Sequence, residues 1–135
     1  MLFRSAGPRL SCAAGYTNIV IYFAKPGGEE LSRWIDDPAA FVSIVTRIEA
    51  LGFPKISPTE EAAIKEALNA MPEAGLSDAV AGRAIGLRQQ RKMGIGDAIV
   101  AATALVHDVP LVTRNTGDFK HIARLRLINP FESAA

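Results

Sequence analysis

The chain has 135 residues, with 15 lysines and arginines against 14 aspartates and glutamates, a net charge of +1 and an apolar share of 49%. That is the size of one domain with one core, and the near-neutral balance excludes a global field that would draw the chain to nucleic acid or a membrane. With Cys12 as its single cysteine it has no internal disulfide and no thiolate metal cluster, which fits a reducing, cytoplasmic setting.

Taken from the start, residues 1–14 carry arginines and small residues without an apolar core. They read as an irregular extension and not as a signal peptide. No apolar run is long enough to span a bilayer. On β-branching alone, Ile19 to Phe23 reads as a strand. Glu29 to Ile35 reads as a short amphipathic helix with Leu31, Trp34 and Ile35 on one face. Phe41 to Val45 reads as a buried strand, and Thr46 can cap a helix that holds Ile48, Glu49 and Leu51 and that Gly52 closes. Ser57, Pro58 and Glu60 spell a capping box with proline in the first turn, and Pro72 lies beyond the end of that helix. Ser77 caps a further helix, Asp78 to about Lys92, with Val80, Ala84, Ile85 and Leu87 inward and its arginines outward.

The rest is organised around the stretch from Gly94 to Asp118. Asp97 follows a Gly-Ile-Gly breaker at a helix start, where a carboxylate suits the positive end of the dipole. Ala98, Ala101, Ala102 and Ala104 let that helix lie close to a sheet. Asp108-Val109-Pro110 turns the chain, and Leu111-Val112-Thr113 is the apolar run of a buried strand. Arg114, Asn115 and Asp118 stand at its carboxyl end, where ligands collect in open α/β sheets. Leu125 to Ile128 is the last strand. Helices alternating with short apolar strands predict an α/β fold with a central parallel sheet.

Glu49 and Asp97 occupy equivalent places near helix starts. Carboxylates gathered there stay ionised only beside a cation. Hard oxygen donors, without thiolates and with two histidines, favour Mg²⁺ or Mn²⁺ over zinc. On spacing alone, exposed surface acids are the commoner explanation of both residues. His107 reads as a complement to a helix C-terminus and His121 as a solvated surface residue. Trp34 reads as core or as a dimer contact. Arg83, Arg88, Arg91 and Lys92 read as readily as a solvated helix face as a phosphate-binding one.

Several blocks resemble PIN-domain proteins of the VapC toxin type. They are Thr17 to Tyr22, Ser43 to Glu49, Gly96 to Ala104 (GDAIVAATA), Leu111 to Phe119 (LVTRNTGDF) and Leu127 to Phe131, in the right order. The resemblance implies one PIN-like domain over 15–131 with a tail at 132–135, folded as a three-layer α/β/α sandwich around a central parallel sheet. It also implies a helix at Ile19 to Phe23, against the propensity reading, and a first strand around Leu10 to Gly15. Activity as a Mg²⁺- or Mn²⁺-dependent ribonuclease is implied too, with an RNA substrate, a cognate antitoxin and a homodimer. Carried over by position, Glu49, Asp97 and Asp118 are the metal-site acids. Asn115 accompanies Asp118, Thr113 supports the site by hydrogen bonding, Asn18 orients the first acid and Arg114 steadies the phosphate.

One departure stands out. The family pattern opens with Asp-Thr-Asn, whereas this chain reads Tyr16-Thr17-Asn18. A phenol, with an ordinary pKa of about 10, is neutral at pH 7 and a poor Mg²⁺ ligand. Two expectations follow: a nuclease weakened by loss of its first acid, or a catalytically inactive PIN-fold module that binds partners.

Overall fold

The computed structural model describes residues 2–4, 13–14, 40–52 and 54–131. Tyr16, Asn18, Cys12, Trp34, the segment Ile19 to Phe23, the helix expected from Glu29 to Ile35 and the tail 132–135 lie outside the described residues.

Six short strands make one sheet: β1 (Leu2–Arg4), β2 (Ala13–Ala14), β3 (Ala40–Ser43), β4 (Glu73–Ala74), β5 (Leu111–Val112) and β6 (Leu127–Ile128). Their order across the sheet is β4-β3-β1-β2-β5-β6. The pairs β3–β4, β2–β5 and β5–β6 are parallel, as expected for strands joined through helices. β1 runs antiparallel to its neighbours, with Phe3 opposite Phe41 and Leu2 opposite both Ala14 and Val112. This corrects the reading of residues 1–14 as irregular, since two parts of that segment are strands. β2 falls within the range expected for the first strand. The signal at β1 is three residues long and has no periodicity to read.

Four helices are described: α1 (Ile44–Leu51), α2 (Pro58–Asn69), α3 (Asp78–Gln90) and α4 (Ile95–His107). α1 follows β3 without a loop. Its cap is Ser43, whose side chain accepts from the Val45 N–H at 3.1 Å. The expected cap, Thr46, lies inside the helix and is fully buried, so the strand ends earlier than its apolar run suggests. Gly52 closes α1 through a bond from its N–H to the Ile48 carbonyl at 2.8 Å, and a Cβ there would collide with that carbonyl. α2 has the expected capping box, Ser57 and Glu60 each bonding the other's backbone N–H.

The core gathers Val42, Ile64, Leu68, Val80, Leu87, Leu111, Val112, Phe119 and the small face of α4. α4 is buried nearly all round: Ala98, Val100, Ala101, Ala102, Thr103 and Ala104 are each at most 1% exposed. The alanines let it sit deep, and the Thr103 hydroxyl is satisfied by donating to the Ile99 carbonyl at 2.7 Å. α3 packs along α4 with Val80, Ala84 and Leu87. Ile85, expected inward, is 59% exposed, because it lies off the stripe that those three residues define. No helix among the described residues is long and apolar enough to cross a membrane.

Candidate metal centre

The site is built where α1 meets the start of α4. Glu49 stands exposed in the last turn of α1, not near a helix start as expected, because the helix already begins at Ile44 directly after β3; its carboxylate lies over the Gly96 backbone. A Cβ placed on Gly96 would be 3.0 Å from Glu49 Oε2 and 3.5 Å from Val45 Cγ1. A glycine directly before Asp97 therefore gives the Glu49 carboxylate its room. Sequence reading took Gly96 only as a helix breaker. The signal was its place beside an acid at a helix start, but the neighbour that needs the space is distant in the chain.

Asp97 occupies the first turn of α4, half-buried. Burial raises its pKa above the ordinary carboxylate value, and the charges of Asp118 and then Glu49 raise it further. Both acids are thus near enough for their fields to oppose ionisation of Asp97. Asp118 closes a single 3₁₀ turn (Thr116–Asp118) after β5 and is exposed. Thr113 is buried at the end of β5, and its hydroxyl accepts from the Asn115 N–H at 3.1 Å. That bond fixes the bend into the turn, and the Asp118 N–H in turn donates to the Asn115 carbonyl at 3.1 Å. Arg114 is exposed, with its guanidinium carbon 4.9 Å from the centre of the Phe131 ring.

Among the described residues, no group of three or more His, Cys, Asp or Glu side chains is drawn tight enough to hold a metal ion by itself. The donor chemistry nevertheless fits a hard dication. The converging groups are carboxylates, and a positive charge would relieve the mutual repulsion that raises the Asp97 pKa. His107 lies at the other end of α4, its ring edge-on to Phe41 at 5.3 Å, and takes no part.

The site thus sets Asp97 at the start of α4, on an α/β sheet, within the fields of Glu49 and Asp118. The profile of the PIN domain family matches residues 17–125, and the chain belongs to that family. The fold expected from the resemblance, an α/β/α sandwich of the PIN type, holds. Among solved structures, a toxin–antitoxin complex from Klebsiella pneumoniae is 32% identical, covering 89% of this chain and 98% of that one, with a TM-score of 0.70. VapBC2 from Rickettsia felis, bound to a DNA fragment from its promoter, is 21% identical over 86% of this chain and 96% of that one, at 0.71. FitAcB from Neisseria gonorrhoeae is 21% identical over 89% and 99%, at 0.69. The last two likenesses are of fold. No curated protein matches the chain.

Proposed function

We propose that this chain is a metal-dependent endoribonuclease of the VapC type, the cytoplasmic toxin of a type II toxin–antitoxin pair. The observation that carries the reading is the seating of Glu49 on Gly96 beside Asp97, whose carboxyl feels the charges of both Asp118 and Glu49. Glu49, Asp97 and Asp118 would hold Mg²⁺ or Mn²⁺. Such an ion supplies an acidified water and a counter-charge for a phosphodiester. The chain's own residues do the rest. Asp97 lies in the positive field of the α4 N-terminus, which favours an anionic group there. Thr113 holds the turn that carries Asn115 and Asp118. Arg114, exposed and stacked on Phe131, would steady a phosphate of the RNA. An antitoxin partner is supported by the Klebsiella and Rickettsia structures, both of them complexes.

The test is a Mn²⁺ titration of the metal-free full-length chain, read by calorimetry and by thermal unfolding, alongside RNA cleavage. We expect saturable binding and a raised Tm in the parent, and neither in Asp97→Asn. An Asp97→Asn variant that binds Mn²⁺ and cleaves RNA as the parent does would refute the assignment.

Tyr16 favours a second reading, a PIN-fold module that binds its partners without cleaving RNA. Tyr16→Asp decides between them. If the variant gains Mn²⁺ binding and cleavage that the parent lacks, the second reading holds. If the two proteins bind and cleave equally, Tyr16 does not disable the site.

We also propose that the chain pairs with itself. Its support is an apolar groove of about 450 Å³ between α3 and α4, bordered by Leu76, Ile85, Ile95 and Ile99. Leu76, Ile85 and Ile95 are 54%, 59% and 61% exposed, an unusual concentration of large apolar side chains in one place. A two-fold contact would set the same patch of two copies against each other.

A further inference from the structure

The end of α4 away from Asp97 carries a second cavity. About 16 Å of helix separates Asp97 from Asp108 at that end. The cavity measures about 210 Å³, and its wall is mostly polar. Arg83 of α3, Arg124 and Arg126 of the segment entering β6, and Leu105, Asp108 and Val109 from the end of α4 line it.

Three arginines on one cavity wall call for counter-charge. Arg126 has its own: its Nη2 donates to the Asp108 carbonyl at 2.9 Å and stands 3.4 Å from Asp108 Oδ1. That bond also answers the negative end of the α4 dipole. The Asp108 side chain is 98% exposed, so its charge is spent largely on water. The side chains of Arg83 and Arg124 make no hydrogen bond or ion pair with another described residue. Asp108 and Arg124, at φ 53° and 70°, are two of the three non-glycine residues with left-handed backbone among the described residues. Such backbone is uncommon, and both examples frame the same cavity.

We infer that this cavity is an oxyanion site that takes a phosphate group. Two uncommitted guanidiniums match the two charges of a phosphate monoester, and their planar forks suit its oxygens. A single carboxylate of an acidic peptide would leave one guanidinium unmet. The volume admits a phosphate and part of the sugar that carries it, below the range typical of whole small-molecule pockets. Inorganic phosphate, a nucleotide and the 5′ end of an RNA fragment all offer this group. The inference does not depend on the carboxylate site being a nuclease.

The experiment follows backbone amide shifts of the full-length chain in EDTA, so that the carboxylate site plays no part. The probes are inorganic phosphate, uridine 5′-monophosphate, uridine and a tetraglutamate peptide. The expected result is saturable shifts at Arg83, Val109 and Arg124 with the first two probes and none with uridine. Tighter binding of the nucleotide than of inorganic phosphate marks an ester as the source, and equal binding marks free phosphate. Arg83→Gln and Arg124→Asn should each weaken binding about tenfold, as expected for a lost charged hydrogen bond. Both positions are exposed, and asparagine tolerates the left-handed backbone at 124. The inference is overturned if phosphate gives no saturable shift, if the shifts fall only around Asn115 and Asp118, or if neither substitution weakens them. It is likewise overturned if tetraglutamate binds this cavity and phosphate does not.

Discussion

Asp97 shows how one residue carries two opposed demands. Folding half-buries its carboxyl and turns two other acids toward it, so its pKa rises in the folded, metal-free protein. An acid whose folded pKa exceeds its unfolded value binds more protons when folded. Its favourable contribution is complete below the unfolded carboxylate pKa of about 4 and is lost as pH climbs through the folded value. The metal-free parent should therefore lose thermal stability as pH rises from about 4 toward neutrality. Asp97→Asn, which cannot ionise, should lose less over that window and be the more stable protein at pH 7. Unfolding scans of both proteins against pH check this. Gly96 gives a sharper separation of stability from function. In Gly96→Ala the new Cβ would crowd only the flexible end of Glu49, and alanine is the better helix former. We expect an unchanged or slightly higher Tm together with weaker Mn²⁺ binding, by calorimetry. Unchanged Mn²⁺ binding would mean that the position of Glu49 over Gly96 does not matter.

At the scale of the element, α4 depends on small side chains. Ala101 and Ala102 are completely buried, so Ala101→Leu would force extra methylenes into a filled space. A loss of about 1–3 kcal/mol is expected by denaturant unfolding, typical of overpacking. This dependence was legible in the sequence, because four alanines recur beside an acidic helix start. The capping box of α2 was legible for the same reason: its signal is local, four residues long and chemically specific. The start of α1 was less so. Ser43 and Thr46 are both able to cap, and only the burial of Thr46 decides between them. β4 gave no signal at all. Glu73 and Ala74 have no strand periodicity, and they are held by pairing with β3 and by a two-pronged Arg47–Glu73 contact at 2.6 and 3.2 Å.

Over the whole molecule, the sequence announced its charge clusters but not their partners. Arg83 reads in the sequence with Arg88, Arg91 and Lys92 on one helix, about forty residues before Arg124 and Arg126. The fold instead joins Arg83 to Arg124 and Arg126 around one cavity. The acids tell the same story in reverse: Glu49, Asp97 and Asp118 were named through a family resemblance, since their spacing alone did not distinguish them from surface residues. Ile85 reads as inward for its apolar side chain although it lies off the stripe of Val80, Ala84 and Leu87, and its exposure gives the pairing proposal its test. Ile85→Glu should leave the monomer folded, because the position is already open to water. It should lower the apparent mass by sedimentation at concentrations where the parent is dimeric. A parent that is monomeric throughout would remove the pairing proposal.

The placement of β1 bears on how the protein is made. Residue 2 lies against residue 112, and β5 in turn lies against residues 127 and 128. A ribosome delivers these strands in order, so β1 can meet β2 early but cannot meet β5 until the chain has emerged past residue 112. β6 joins later still, and a nascent fragment that stops at β5 would lack the turn that carries Asp118.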